Sequence, residues 1–567
     1  IMVPYLRKSS LIRCCKFILF SAYIFFFHSC SSPNVNSKHA MVVSAHPLAS
    51  KVGLEILKQG GNAVDAAVAV QFALAVVYPS AGNIGGGGFF VYRSKQGEFA
   101  SLDFREKAPS GSYRDIYLDS AGNVIENLSL KGHLASGVPG TVDGMVEIHD
   151  SLGNLNWETL IQPAIDLAYN GFSLTLKEAE KLTYFTKYKI IDSTYNPYYK
   201  PNYVEGDTLF LSDLAQTLEA IRDFKRDGFY SGKVADKLVE EMKNNYGLIS
   251  YDDLVNYTSV WRDPIVFPYK NYNIISMGPP SSGGIALAQM MKMISNFDLK
   301  DFEFHSKNAV HLMCEIEKRA FADRSIYLGD PDFYNVPVES LMDTYYLNSR
   351  MDDFKLNRAT SADSLYPGKF DVEESEETTH FSIVDEDGNA VSITTTLNGS
   401  FGSGVVVKNA GFLLNNEMDD FSIKPGHPNL YGLIGGEANA ISPNKRMLSS
   451  MTPTIIEKND SLFMVLGSPG GSSIITAVFQ TVLNVIDYKM DVQSAVNAPR
   501  FHHQWKPDYI KLENDFKEND SLILSLKKKG HTVRFVSSMN RVDAILVNLD
   551  SLYGGADKRG DDYAASY

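Results

Sequence analysis

Cysteine is nearly absent: the 567 residues contain 4, two of which, Cys14 and Cys15, fall in an N-terminal leader-like segment. Cys30 and Cys314 remain, so the body has one internal cysteine, which cannot form an internal disulfide, and no CxxC or other metal-ligand spacing occurs. Cys314, in His311-Leu312-Met313-Cys314-Glu315, reads as a small buried apolar residue of a helix. Basic excess is lacking too. The net charge of −14 argues against nucleic acid as a partner, and the scattered acids read as a source of solubility. The apolar-dominated run Phe17 to Phe27, eleven residues, is too short to span a bilayer. No internal repeat, low-complexity tract or transmembrane pattern follows it. Gly85-Gly86-Gly87-Gly88 is not a phosphate loop: a helix precedes it, a strand follows it, and no Lys-Ser/Thr completes it.

The short apolar run does suit an export signal. Arg7, Lys8, Arg13 and Lys16 precede it, and His28-Ser29-Cys30-Ser31-Ser32 ends it. This resembles a bacterial lipoprotein signal in which Cys30 is lipidated and becomes the new N-terminus, although Phe27 stands where Leu is usual. Such a signal implies a lipid-anchored protein of the periplasm or outer membrane. Ordinary secretion is the alternative. Residues 31 to 40 read as a polar tether.

Beyond the tether, Val52 to Val77 carries a helical pattern broken at Gly60-Gly61, with Asn62 as cap of an Ala- and Val-rich second helix. Phe89 to Tyr92 reads as a strand. Residues 155 to 345 read mainly as helices, interrupted by Gly278-Pro279-Pro280-Ser281-Ser282-Gly283-Gly284, which leads into a Met-rich helix. Asp371 to Glu377 is a short acidic stretch. A hairpin follows at once, because Phe381, Ile383, Val391 and Ile393 alternate with polar residues on either side of Asp387-Gly388-Asn389. Further strands are expected around Gly411 to Leu414, Thr454 to Ile456 and Phe463 to Leu466, and a helix from Ser472 to Asp487.

Thr378 stands at the start of that hairpin, directly after the acidic stretch. A Thr at a strand start is ordinary. Cleavage of Glu377-Thr378, however, would place a free α-amino group beside a hydroxyl. The reference pKa of such an amine is about 7.7–8.0, so nucleophile and base would be one residue.

Several long motifs then resemble the γ-glutamyltranspeptidase family. Around the cleavage point they are Thr378-Thr379-His380-Phe381-Ser382, Asp387-Gly388-Asn389-Ala390-Val391 and Thr396-Leu397-Asn398. Downstream come Leu413 to Phe421, Leu448 to Thr454 and Gly467-Ser468-Pro469-Gly470-Gly471. Upstream lie Gly60 to Ala67 and Leu102 to Pro109. The resemblance runs from about residue 40 to the C-terminus. It implies the α+β, four-layer αββα fold of the N-terminal nucleophile hydrolases. It also implies a signal over 1–30, a large subunit over 31–377 and a small subunit over 378–567, intertwined as a heterodimer after self-cleavage between Glu377 and Thr378.

The same resemblance implies the roles of single residues. Thr378 attacks the γ-carbonyl of glutathione or another γ-glutamyl amide, Thr396 positions it, and the amides of Gly470 and Gly471 form the oxyanion hole. Arg105, Ser449 and Ser450 would bind the substrate α-carboxylate, and Asn398, Glu417 and Asp420 the α-ammonium. Tyr431, in Pro425 to Gly432, would be the lid over the glutamyl group; a plain surface loop is the other reading of that stretch. Water, an amino acid or a peptide would accept the γ-glutamyl group, with no metal or organic cofactor. Two rivals stand beside this reading. One is a glutaryl or cephalosporin-type acylase, whose substrate lacks the ammonium that Glu417 and Asp420 would read. The other is a non-catalytic γ-glutamyl-binding relative.

Overall fold

A computed structural model describes residues 35–189, 196–365 and 378–567. Cys30 and Glu377 lie outside the described residues, as do the leader and the acidic stretch 371–377.

The unit from Val35 to Tyr567 is built on two seven-stranded sheets, every pair of neighbouring strands in them antiparallel. The strands are β1 (Val35–Ser37), β2 (Met41–Ser44), β3 (Gly87–Arg93), β4 (Phe99–Asp103), β5 (Val260–Arg262), β6 (Ile265–Tyr269) and β7 (Tyr272–Ser276). After position 378 come β8 (Thr379–Val384), β9 (Ala390–Thr396), β10 (Thr454–Lys458), β11 (Ser461–Gly467), β12 (Asp543–Asn548), β13 (Ser551–Gly555) and β14 (Tyr563–Ser566). One sheet has the order β1-β13-β12-β11-β10-β7-β6, the other β14-β2-β8-β9-β3-β4-β5. Each interleaves strands from both sides of position 378, so neither side builds either of these two sheets alone.

The inner faces of the two sheets bury a shared core that includes Val43, Phe89, Val91, Ile275, Ile455, Val465 and Ile545. Helices cover the outer faces. Helices α1 (Pro47–Lys58), α2 (Ala63–Val77), α3 (Trp157–Asn170) and α4 (Leu176–Tyr188) share a core with Phe90, Phe381, Ile383, Val391 and Ile393. Helices α5 (Gly283–Ile294), α6 (Lys307–Tyr327) and α7 (Ile474–Ile486) share another with Ile274, Ile456, Met464 and Leu466. The layers are therefore αββα.

Local chemistry explains several elements. Asn62 caps α2 through the amides of Val64 and Asp65, and Asp65 returns a bond to Asn62, a complete capping box. Every residue of α2 is buried, as its unbroken apolar pattern requires. In the hairpin, Phe381 pairs with Ile393 and Ile383 with Val391, the register that the alternation predicts. The glycine run serves close approach. A Cβ on Gly86 would lie 2.0 Å from the Thr396 carbonyl oxygen, and one on Gly88 2.4 Å from that of Thr394. Met290, Met291 and Met293 fill core on α5, and Cys314 is buried in α6.

Three expectations need correction. Val35–Ser37 is not tether but an edge strand paired with β13. Residues 260–276 form three strands inside a stretch expected to be mainly helical; Pro268 disguises β6, and an edge strand tolerates it. Gly411 to Leu414 forms no strand; Leu413 makes only an isolated bridge to Val406.

Candidate active site

Thr378 is buried at the lip of β8, where the chain enters the hairpin. A recess beside it is lined by Arg105, Thr378, Thr396, Asn398, Glu417, Asp420, Tyr431, Ser449, Ser450 and Gly471, with Leu433, Met451 and Ile474 completing the wall. All ten of the polar, tyrosine and glycine positions in this lining are expected site residues. Gly470 lines an adjoining cavity that also touches Thr378. These side chains arrive from β4's end, β9's end, the turn Glu417–Asp420, the segment before β10 and the β11–α7 loop.

The recess is organised around one cation. Arg105 is fully buried and ion-paired with Glu417 through Nη1 and with Asp420 through Nη2, the latter at 2.6 Å. Its Nε donates to the Met447 carbonyl at 3.3 Å. Glu106 lies 3.6 Å from the same guanidinium and, among the described residues, neither of its oxygens has a hydrogen-bond partner. Three acids thus surround one arginine. Burial raises the Glu417 carboxyl well above its usual range, with Arg105 opposing. It raises Asp420 likewise, and lifts Glu106 to about 7 against the pull of Arg105. Burial disfavours the charge on Arg105, but the three acids outweigh it and hold the guanidinium charged.

Two acceptors in the recess are unsatisfied among the described residues: Asn398 Oδ1 and Glu417 Oε2. Asn398 is held in a left-handed conformation, φ 71°, by three bonds. Its N–H donates to Thr396 Oγ1 (2.8 Å), its Nδ2 donates to the Asn416 carbonyl (3.0 Å), and its carbonyl accepts from the Tyr431 hydroxyl (2.8 Å). A buried polar atom without a partner is costly, so this pair marks a place prepared for a donor.

Gly470 and Gly471 stand before α7 with φ 107° and 26°, and neither amide donates to a protein acceptor among the described residues. A Cβ on Gly471 would fall 2.1 Å from the Tyr431 ring, so only glycine fits beneath that ring. Tyr431 is buried, not part of a plain surface loop. Asp419 accepts from the Leu430 amide (2.6 Å), and Gln504 Nε2 donates to the Tyr431 carbonyl (2.9 Å).

The sequence reading missed several supporting residues. Arg324, on α6, donates to Ser450 Oγ (3.0 Å) and Ser282 Oγ (2.9 Å), and burial lowers its pKa to about 10. Asn83 donates to the Thr396 carbonyl (2.9 Å) and to Thr395 Oγ1 (3.1 Å), fixing the end of β9. Arg324 and Gln504 carried no local signal, because a polar residue within a helix or a loop is ordinary. The unexplained Gly-rich run beside Asn83 was the one available clue.

The family described as gamma-glutamyltranspeptidase matches residues 49–567. A glutathione hydrolase proenzyme of Escherichia coli (strain K12) is 47% identical over 549 residues, covering 94% of this chain and 93% of its own length. Among solved structures, cephalosporin acylase from Bacillus halodurans superposes with a TM-score of 0.82 at 26% identity, over 95% of this chain and 99% of its own. The gamma-glutamyltranspeptidase of Helicobacter pylori superposes with a TM-score of 0.54 at 42% identity, over 59% of this chain and 96% of that one. The αββα sandwich is thus the fold of the N-terminal nucleophile hydrolases.

Proposed function

The chain belongs to the gamma-glutamyltranspeptidase family and is an enzyme of the glutathione hydrolase kind; from that premise we propose a residue-level course for its reaction. The chain cuts itself between Glu377 and Thr378, and the freed α-amine of Thr378 takes the proton of its own hydroxyl. That oxygen attacks the γ-carbonyl of glutathione or a related γ-glutamyl amide. Negative charge develops on the carbonyl oxygen, which the amides of Gly470 and Gly471 receive; loss of one such donor typically costs on the order of 10²–10³ in rate. The amine leaves with a proton, and a γ-glutamyl ester remains on Thr378. Water, an amino acid or a peptide then takes the glutamyl group. The interleaving of strands across position 378 supports two subunits that stay together after the cut.

One observation carries the substrate assignment: the mixed-charge recess beside Thr378, with open acceptors at Asn398 Oδ1 and Glu417 Oε2. Its free volume is about 20 Å³, room for roughly one water, so a glutamyl group must displace what fills it. A zwitterion can do so without stranding charge. Its carboxylate takes Arg105, with Ser449 and Ser450 alongside, while its ammonium takes Glu417, Asp420 and Asn398. Each buried charge exchanges one partner for another, whereas a glutaryl group supplies only the carboxylate and leaves the acids unpaired. Tyr431 then closes over the bound group.

For location, the basic and apolar leader supports export, with Cys30 as a lipid anchor site; among the described residues no helix is long and apolar enough to cross a membrane.

The test compares p-nitroaniline release from γ-glutamyl and glutaryl anilides, with Thr378→Ala as control. We expect strong γ-glutamyl preference, and a variant that remains a single chain on a denaturing gel without activity. Preference for the glutaryl anilide would move the substrate assignment to the acylases. Two chains in Thr378→Ala would refute self-cleavage.

A further inference from the structure

Six arginines are buried among the described residues: Arg93, Arg105, Arg319, Arg324, Arg446 and Arg500. Five of them are ion-paired to a carboxylate. Arg324 makes no ion pair among the described residues; its guanidinium holds two serine hydroxyls instead. A buried charge without a counter-ion is costly, and burial lowers its pKa to about 10, which still leaves it charged at neutral pH. The charge that favours it is Asp420, and that carboxylate is already ion-paired with Arg105. Two guanidinium groups thus lean on one acid beside the recess.

The serines show where this charge is directed. Arg324 Nη2 donates to Ser450 Oγ at 3.0 Å, and its Nε donates to Ser282 Oγ at 2.9 Å. Ser282 in turn donates its hydroxyl (2.6 Å) and its amide (2.8 Å) to the Ser449 carbonyl, which fixes the Ser449–Ser450 segment against the start of α5. Ser449 Oγ accepts from the Met451 amide at 3.1 Å. Both serine oxygens are therefore occupied as acceptors, and among the described residues neither hydroxyl donates to a protein acceptor. Each has one hydrogen left to give, and both side chains line the recess. A hydroxyl that accepts from a guanidinium is polarised, which makes its own hydrogen a stronger donor.

We propose that Arg324 is a positioning residue for the substrate α-carboxylate: unpaired by any described acid and seated on Ser450, it turns the Ser450 hydroxyl hydrogen into the recess and supplies a second positive charge beside that of Arg105. This role rests on the zwitterion reading of the recess, and it follows from an exchange of partners. The incoming ammonium claims Asp420 and Glu417, and so takes from both arginines the acid that balanced them. The carboxylate replaces it, for Arg105 directly and for Arg324 through Ser450. A donor that brings the ammonium alone strands both guanidinium groups.

The test compares two donors on the purified, processed enzyme: γ-glutamyl p-nitroanilide, and 4-aminobutyryl p-nitroanilide, which keeps the ammonium and lacks the carboxylate. Affinity is read as KM or, for a donor that is not turned over, as its inhibition constant against the γ-glutamyl anilide. The unmodified enzyme should favour the γ-glutamyl anilide strongly. Arg324→Met should raise the KM for it roughly tenfold with kcat within about threefold, and change the affinity for the 4-aminobutyryl anilide less than about twofold. Arg324→Lys keeps the charge and gives up the two-pronged hold. It should raise that KM about threefold, and it carries the comparison if Arg324→Met is not recovered as two folded chains. Combining Arg324→Met with Ser450→Ala should cost less than the product of the two single losses, because the arginine acts through that hydroxyl. Equal shifts for both donors, or single losses that multiply in the double variant, would mean that Arg324 only supports the fold and would overturn the proposal; so would no shift for either donor. If the unmodified enzyme does not distinguish the two donors, the zwitterion reading falls and the role of Arg324 falls with it. If it does distinguish them and Arg324→Met leaves the ratio unmoved, only the role of Arg324 falls.

Discussion

Arg105 and Arg319 are both fully buried among carboxylates, yet their surroundings are opposite in kind. On α6, Glu315 meets Arg319 Nη1 at 2.7 Å and Lys318 Nζ at 3.1 Å, and the Thr360 amide adds a third donor at 3.1 Å. Arg319 also reaches Asp353 at 2.5 Å and the Arg350 carbonyl at 2.6 Å. Burial works against the Glu315 charge, but two cations overcome it and draw its pKa down to about 2. Around Arg105 the ratio is inverted: three acids share one guanidinium, and oxygens of Glu106 and Glu417 find no donor among the described residues. Both are buried ionic clusters, but only the first is complete. A saturated cluster holds parts of the fold together. A cluster with surplus acid and open acceptors is poised for an incoming cation, as in a binding site.

Matched replacements should separate the two most sharply. On the proposed reading of the recess, Arg105→Met should lower kcat/KM for γ-glutamyl anilide by about a thousandfold or more, since two charge-assisted bonds to the substrate carboxylate would go at once. Its stability should change little, because the neighbouring acids already favour protonation and can neutralise. Arg319→Met leaves Glu315 and Asp353 short of a cation, and should destabilise by about 3–5 kcal/mol while KM stays within twofold. Denaturant unfolding and steady-state kinetics on both variants check this. Equal destabilisation of the two would mean that the clusters do not differ in how completely their charges are paired.

Within the recess, Asp420→Asn tests which half of the zwitterion each side reads. KM for the γ-glutamyl anilide should rise roughly tenfold, and that for the glutaryl anilide less than threefold. Equal losses on both would remove Asp420 as the ammonium partner.

The sequence made some of this visible and hid the rest for identifiable reasons. The hairpin β8–β9 was legible because its alternation and Asp387-Gly388-Asn389 turn agree, and α2 because Asn62, Asp65 and the apolar run agree. Strands β5 to β7 were not, since Pro268 and the exposed alternate residues Val266 and Pro268 of an edge strand mimic a loop. Gly411 to Leu414 misled because an apolar buried stretch need not be a strand. At the site, Arg105, Glu417 and Ser450 lie far apart in the chain, and no local periodicity links them. Only the likeness to whole motifs joined them. Arg324 escaped even that, because its role depends on where α6 meets the segment before β10.

The smallest effect, and the one that sets the two clusters against each other in a single titration, is the pH dependence of stability. Glu106 has its pKa raised from 4.5 to about 7 in the folded protein, chiefly by burial. A raised acid favours the protonated folded state, so its contribution is full below pH 4.5 and is lost as pH climbs through about 7. Glu315 has its pKa drawn from 4.5 down to about 2 by Lys318 and Arg319 against burial, so its contribution is present above pH 4.5 and is lost as pH falls towards 2. Each group bends the curve by at most about 1.4 kcal/mol per pH unit within its own window. Glu106→Gln should flatten the limb between pH 4.5 and 7 and leave the acid limb; Arg319→Met should flatten the acid limb and leave the other. Unfolding free energies measured by denaturant across that range decide it. If both replacements flatten the same limb, the two clusters are not electrostatically distinct, and surplus acid around Arg105 does not mark the binding site.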